Sequence, residues 1–417
     1  MTDSAESPPG LHLFEGYGVE IEYMIVDQES LDVLPIADRV LIDPAGAIEN
    51  EVEHGDISWS NELVLHVVEL KTTAPAPSLR GLAPLFHRNA LQIEALLAQH
   101  SARLLPTAMH PWMDPLTETR LWPHDSQEIY ATFNRIFDCR GHGWSNLQSV
   151  HLNLPFTGDD EFGRLHAAIR LLLPILPALA ASSPIFEGKV ADARDARLVH
   201  YRQNCARLPM VTGRVIPEAV FDRSSYEQQI LEPIAVAVAP FDSDEELEAE
   251  WVNARGAIAR FVRDSIEIRV VDVQEHPAAD LGIAQLAVFL LQELTEGKTI
   301  DDAAQRAFSV EELEAIFTRC ALQAGAAQLG STDYCAALGL PDRMLTAGEA
   351  WARILERALQ AGAIGSDEAR ALAVILEQGS LADRIVSATG PTPSHADLES
   401  AYRGLAQCLR TGRSFEP

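Results

Sequence analysis

Three stretches of this sequence carry charged or polar side chains two residues apart, where a buried strand would carry Leu or Val. Glu20 and Glu22 sit in Gly16-Tyr-Gly-Val-Glu20-Ile-Glu22-Tyr-Met-Ile-Val26. On a strand, side chains two apart point the same way, so Val19 and Ile21 fill the opposite face. His151 and Asn153 repeat the spacing within Asn146–Pro155, as do Glu267 and Arg269 within Ser265–Asp272. Neighbouring carboxylates repel, and each raises the other's pKa unless positive charge lies between them. A divalent cation is the simplest such charge, and hard oxygen donors suit Mg²⁺ or Mn²⁺. If these strands are neighbours with the faces aligned, carboxylates and a histidine converge on a surface where cations could clamp phosphate oxygens. The plainer alternatives are a solvated strand face for Glu20 and Glu22, a satisfied core histidine at His151, and a charge pair between Glu267 and Arg269.

A further pair breaks the pattern. Glu62 and Glu69 are an odd number of residues apart, so a regular strand would send them to opposite faces. Either a bulge or a turn interrupts the stretch, or one of them stands outside the group. His66 falls on the Glu62 face and reads as a packing residue.

The elements that must position these residues follow from the apolar periodicity. Strands are expected over 16–26, over 60–71 up to the prolines at 75 and 77, over 146–155 and over 265–272. Helices are expected over 79–104, 125–137 and 277–294, with a helix over 161–181 broken at Pro174 and Pro177. Residues 27–51 and 106–115 read as loops, 182–217 as an Arg-rich irregular stretch, and the acidic run 242–250 as a linker or helix start. Beyond residue 300 the chain is Ala-, Leu- and Glu-rich with helical periods. Capping boxes are expected at Ser309/Glu312 and Thr346/Glu349, with a related start at Ser394/Asp397.

With 417 residues, 47% of them hydrophobic and 22% charged, the chain is long enough for one large core or two domains. A formal charge of −29 and the lack of any Lys/Arg run argue against a nucleic-acid partner. Lysine is nearly absent (Lys71, Lys189 and Lys298), so arginine supplies the positive charge an anionic ligand would need. The five cysteines are scattered, with neither metal spacing nor a disulfide pattern, which suits a reducing cytoplasm. Residues 1–10 lack the apolar stretch of a signal peptide, and no run approaches roughly 18 uninterrupted apolar residues, so no membrane partner is expected. Gly141-His-Gly143 lacks the lysine and the strand–helix setting of a phosphate loop.

Six pieces in order carry a resemblance. They are Gly18-Val-Glu20-Ile-Glu22; Glu62 to Glu69 ending in Glu-Leu-Lys-Thr; His110-Pro111; Gln148-Ser-Val-His151-Leu-Asn153; Ala181-Ser-Ser-Pro184 through Tyr201-Arg202; and Ile266-Glu267-Ile-Arg269-Val-Val-Asp272. Together they resemble the glutamate–cysteine ligase family of the second type, the carboxylate–amine ligases, over residues 14 to about 295. The resemblance implies an α+β fold: a curved, mainly antiparallel sheet with helices on its outer side, glutamine-synthetase-like, plus a helical C-terminal region. The expected division is a disordered tail over 1–12, a catalytic domain over 13–298 and a helical region over 299–417 packed on it as a cover.

The resemblance also implies that Glu20, Glu22, Glu62, Glu69, His151 and Glu267 are divalent-metal ligands. Arg202 and Arg269 would hold the substrate and the transferred phosphoryl group. ATP and Mg²⁺ (or Mn²⁺) are the expected cofactors, and a glutamate-like carboxylate and an amine the expected small-molecule partners, with self-association left open. An acyl phosphate would join them, shielded by a closing loop at His110-Pro111 or within 188–214. A metal-dependent hydrolase using the same carboxylates, or a non-catalytic binding member, are the alternatives.

Overall fold

The structure is a computed structural model and describes residues 10–242 and 246–417. Residues 1–9 of the expected tail and 243–245 of the acidic run lie outside the described residues. The strands are β1 (Gly18–Asp27), β2 (Glu51–His54), β3 (Ile57–Asn61), β4 (Val67–Thr72), β5 (Ala102–Leu105), β6 (Ser149–Pro155), β7 (Ile185–Phe186), β8 (Lys189–Val190), β9 (Ala257–Arg260) and β10 (Ser265–Asp272). β7 and β8 form a separate small hairpin; the others make one open sheet in the order β2-β3-β4-β1-β6-β10-β9, with β5 paired to the second half of β1. Every pairing in this sheet is antiparallel. The α+β class with a mainly antiparallel sheet is therefore what the chain adopts.

β1 is central because each of its faces has a separate task. Val19, Ile21, Tyr23 and Ile25 are fully buried and face the outer helices. These include α1 (Leu82–Leu97), α2 (Gly158–Leu172) and α4 (Pro277–Thr295), whereas α3 (Ala196–Tyr201) brings its Arg197 to Asp272 of β10. Phe86, Ala90 and Ile93 of α1 and Leu281, Ile283 and Leu286 of α4 belong to the same core. The Val, Leu, Ile and Phe side chains among them contribute roughly 1.5–3 kcal/mol each when buried completely. Gly18 lets β1 and β6 close together, since a Cβ there would lie 2.9 Å from the Asn153 Cβ. Two helical segments, Gly158–Ala180 and Pro277–Thr295, are long and apolar enough to cross a membrane, yet 94% and 78% of them lies inside the fold. A helix apolar all round is what a buried position behind a sheet requires.

The helical region beyond residue 300 contributes α5 (Val310–Gln323), α6 (Ala347–Gln360), α7 (Ser366–Gln378), α8 (Leu381–Thr389) and α9 (His395–Thr411). The three expected capping boxes form, with a fourth at Ser380/Asp383. α8 and α9 do more than cover the outer helices. Their Leu381, Ile385, Leu398, Tyr402 and Leu405 build a second core with Met24, Val26, Leu105 and Met113. Met24 lies on the Glu20/Glu22 side of β1, so these helices close one end of the charged face.

Two expectations about elements are corrected. The single strand expected over 60–71 is the hairpin β3–β4, and the helix expected over 79–104 stops at Leu97, turns through Ser101 (φ +54°) and continues as β5. The local Arg-Leu-Leu pattern is ambiguous; pairing with β1 decides it. The broken helix is as expected: α2 ends before a 3₁₀ turn at Leu173–Ile175, and a short helix follows over Leu176–Ala180.

Three buried histidines make the fold acid-sensitive. His110 Nε2–H donates to the Leu31 carbonyl (2.8 Å), and its Nδ1 accepts from the N–H of Met113 (3.0 Å). His66 Nε2–H donates to the Ser145 carbonyl (2.7 Å), and His166 stacks on Phe162. Burial holds all three neutral, pulling His66 and His110 down to about 4 and His166 to about 3, from 6.5. The unfolded chain takes up these protons near 6.5 and the folded one refuses them, so their effect is absent above 6.5 and stability is lost as pH falls below it. One unit below 6.5 each ring costs about 1.4 kcal/mol relative to alkaline pH, so the three together cost roughly 4 kcal/mol at roughly pH 5.5, while buried carboxyls raised by burial, such as Glu62 and Asp280, act in the opposite sense. Urea unfolding of wild type and His166→Phe at roughly pH 8 and roughly pH 5.5 measures it, the variant losing about 1.4 kcal/mol less on acidification. A variant whose pH response equals that of wild type would refute it.

The same burial corrects the expectation of a lid at His110-Pro111: residues 106–111 are buried and hydrogen-bonded in place.

Candidate active site

Strand register assembles the site. Glu20 on β1 faces Lys71 on β4 and His151 on β6, and Glu22 faces Glu69. Gly18 faces Asn153, which in turn faces Glu267 on β10. Arg260 on β9 faces Ser265. Partners across a ladder share a face, so all these side chains rise from one surface. The odd spacing of Glu62 and Glu69 is resolved by a turn: β3 and β4 are antiparallel, and Glu62, just past β3, comes back beside Glu69.

Two sets of potential ligand atoms result, each within 4.8 Å of one another: Glu20, Glu69 and His151, and Glu22, Glu62 and Glu69. Glu69 belongs to both. Hydrogen bonds fix the surroundings. His151 Nδ1–H donates to Glu20 (2.8 Å), Asn153 Nδ2–H to Glu20 (3.0 Å), and the Ser149 N–H to Glu22 (2.6 Å). Ser149 Oγ lies 2.9 Å from His151 Nε2, and the Ser60 hydroxyl donates to Glu69 (2.8 Å).

The charges are unevenly compensated. Burial and then the Glu22 charge push Glu62 up to about 7. Burial, then Glu20 and Glu62, raise Glu69 well above the carboxylate range. Burial also acts to raise Glu20, but the His151 hydrogen bond and charge outweigh it and hold Glu20 low. Burial acts to lower His151, and is outweighed by Glu20 and Glu22, so the ring sits above its usual value. Lys71 reaches Glu51 (2.7 Å) and Glu69 (3.8 Å). The face has more carboxylates than nearby cations, and Glu62 and Glu69 are the ones left short. An oxygen-rich set with one imidazole fits Mg²⁺ or Mn²⁺.

Glu267 shares the face but belongs to neither set. Arg269 holds its Oε1 (3.0 Å from Nε), and Arg260 holds its Oε2 (3.1 Å). Burial works to raise this carboxyl, and Arg269, Arg260 and His151 together hold it far below the usual range. The Arg269 guanidinium also lies beside the Tyr201 hydroxyl. Arg202 stands apart: its guanidinium is engaged by Glu314 and Thr318 of α5, away from the carboxylate sets.

Sequence reasoning passed over four residues. Lys71 is two residues from Glu69, so the parity rule applied to it directly. Arg260 sits in the unremarkable Ala-Ile-Ala-Arg of β9. Asp272 is an odd number of residues from Glu267, but β10 carries a bulge: Ile268 faces Leu152 and Val271 faces Val150, leaving Arg269 and Val270 opposite His151. The extra residue returns Asp272 to the charged face, opposite Ser149. There it pairs with Arg197 of α3 and accepts from the Ser182 N–H (2.9 Å) and the Ser183 hydroxyl (2.8 Å). Arg197 also reaches the Arg269 carbonyl (3.4 Å), which ties it to the bulge.

A cavity of about 420 Å³ opens at the Gly18 end of β1, lined in part by Glu20, Lys71, Thr73, Asn153, Arg263 and Ser265. Its size is that of a small-molecule site, and it adjoins the Glu20/Glu69/His151 set.

A sequence profile described as glutamate-cysteine ligase family 2 (GCS2) matches residues 17–404. An uncharacterized protein of Archaeoglobus fulgidus is 36% identical over 280 residues, which is 67% of this chain and 75% of that one. A protein of Bradyrhizobium sp. strain ORS 278, provisionally named glutamate–cysteine ligase 2, is 24% identical over 310 residues, 71% of this chain and 66% of its own. Among solved structures, the glutamate–cysteine ligase of Francisella tularensis in complex with AMP superposes with a TM-score of 0.56 at 12% identity, covering 95% of this chain and 89% of that one. At that identity the likeness is one of fold: an open antiparallel sheet backed by helices, glutamine-synthetase-like.

Proposed function

The chain belongs to glutamate–cysteine ligase family 2, and from that membership we propose that it is an ATP-dependent ligase joining a glutamate-like carboxylate to an amine through an acyl phosphate. The observation that carries the reading is the pair of carboxylate sets sharing Glu69, on one face and beside a cavity of about 420 Å³. A two-cation hydrolase could use the same sets, and the family membership is what favours the ligase over it. Two sets meeting at a shared carboxylate suit the paired clamping of attacking and leaving oxygens.

In this reading Glu20, Glu22, Glu62, Glu69 and His151 would hold the divalent cations. Bound there, Mg²⁺ or Mn²⁺ neutralises the charge that builds on the transferring phosphoryl oxygens. Arg269 orients the acceptor carboxylate through its planar fork. Asn153 and Ser149 fix the Glu20 and Glu22 rotamers, so little reorganisation accompanies binding. The carboxylate oxygen attacks the γ-phosphorus of ATP and ADP leaves; the amine nitrogen then attacks the acyl carbon, inorganic phosphate leaves, and the nitrogen loses a proton to give the amide. Arg202, tied to α5, serves this site only if it exchanges Glu314 for substrate.

The test is phosphate release from ATP with glutamate and a panel of amines that includes cysteine. A panel is needed because one methylene or thiol changes binding by only ~1–3 kcal/mol. Release that requires ATP, Mg²⁺, the carboxylate and one amine together is the expected result. Metal-dependent hydrolysis without ATP would replace this reading with the hydrolase.

A further inference from the structure

Lys71 is the lysine of the charged face; Lys189 belongs to the separate hairpin and Lys298 pairs with Glu296 beyond α4. Lys71 faces Glu20 across the β1–β4 ladder, and its ammonium lies 2.7 Å from Glu51 and 3.8 Å from Glu69. Neither hold is strong. Glu51 is on β2, at the edge of the sheet, with its side chain 43% exposed, and an ion pair so open to water contributes little. Glu69 is beyond hydrogen-bond distance, and both ligand sets draw on it. Lys71 also lines the cavity of about 420 Å³, as Glu20 does. Arg263 is the other positive side chain among the described residues there, and it is exposed, on the turn between β9 and β10. Lys71 is thus the cation that stands between the carboxylate sets and the cavity. A divalent cation drawn to Glu69 would put two positive centres on one carboxylate. They repel at that range unless an anion lies between them, and a polyphosphate chain is the anion the ligase reading brings.

We propose that Lys71 is a phosphate contact of the nucleotide: its ammonium exchanges Glu51 for the non-bridging oxygens of the β- and γ-phosphates. This rests on the ligase reading and adds Lys71 to the residues that touch substrate. A lysine suits the exchange, being a compact charge on a flexible four-carbon stem. Without nucleotide, the same ammonium competes with divalent cations for Glu69.

Two titrations on the full chain test it: Mn²⁺ alone, followed by the paramagnetic signal of free Mn²⁺, and the Mg²⁺ complex of a non-hydrolysable imido analogue of ATP, followed by calorimetry. In Lys71→Met the nucleotide complex should bind about tenfold more weakly, while Mn²⁺ should bind about threefold more tightly because a competing charge has gone. Weaker Mn²⁺ binding would mark damage to the ligand sets and overturn the proposal. A lysine that only ties β2 to β4 would be mimicked by Glu51→Gln, which breaks the same pair. The contact predicts instead that Glu51→Gln binds the nucleotide complex at least as tightly as wild type. Weaker binding in Glu51→Gln, or Lys71→Met within about twofold of wild type, overturns the contact. So does a loss that disappears at roughly 0.5 M salt, where the field of a charge not in contact is screened. If Lys71→Met does not fold, Lys71→Gln is judged by the same signs. Wild-type protein that binds Mn²⁺ but no nucleotide would sink the ligase reading and the contact together. Nucleotide binding that is equal in wild type and Lys71→Met would sink the contact alone.

Discussion

Glu69→Gln is expected to abolish ligase turnover while making the metal-free protein slightly more stable. The carboxylate is common to both ligand sets and accepts from Ser60, an interaction glutamine's carbonyl can keep. What glutamine removes is the charge, which each set would need in order to hold the proposed cation and which the site otherwise holds at a cost. Burial, Glu20 and Glu62 all raise the Glu69 carboxyl, so the substitution relieves repulsion. A rise of roughly 1–3 °C in melting temperature is expected without metal. Losing a share of both cations should cost about 4 kcal/mol or more in the transition state, a thousandfold in kcat. Scanning calorimetry in chelator and single-turnover phosphate release measure the two effects. Activity within tenfold of wild type would remove Glu69 from the site.

The second large effect is expected from Arg197→Met. Arg197 and Asp272 are 1% and 0% exposed, and the pair ties α3 to the end of β10. Removing one partner of such a pair costs about 3–5 kcal/mol, because the other is left as an uncompensated buried charge. Asp195, whose carboxyl is raised well above its usual range by burial and by Asp272, already stands beside it and can share little of that charge. Urea unfolding should show the loss. The double substitution Arg197→Met/Asp272→Asn, whose amide oxygen can still accept from Ser182 and Ser183, should recover part of the stability but not the turnover, since the Arg269 carbonyl loses its clamp and the bulge its geometry. A single-variant loss below about 1 kcal/mol would show that the pair does not hold the bulge.

The parity of Glu20 with Glu22, of His151 with Asn153 and of Glu267 with Arg269 could be read from the sequence because alternation is a local property of a strand. The capping boxes were legible for the same reason, and His66 is the packing residue its setting suggested. What was not legible depends on which strand lies beside which. Glu62 returns to Glu69 only because β3 and β4 fold on each other, and Asp272 joins the face only through an extra residue opposite His151. Arg260 gave no local signal at all; its importance comes from the register of β9 against β10. Arg202 shows the reverse: an arginine in a promising stretch whose partners are on α5. Neither a residue's type nor its sequence neighbours reveal a partner made by long-range pairing.

The second core has a consequence for how the chain matures. Met24 and Val26 continue the strand of Glu20 and Glu22, and they are covered by side chains from α8 and α9, more than 350 residues downstream. During synthesis the charged strand can pair with its neighbours long before its far end is sealed. A nascent chain stalled before α8 would present Met24, Val26, Leu105 and Met113 to solvent as a sticky apolar patch. The protein therefore withholds its finished groove until late in translation, and interrupted chains should be substrates for chaperones and proteases.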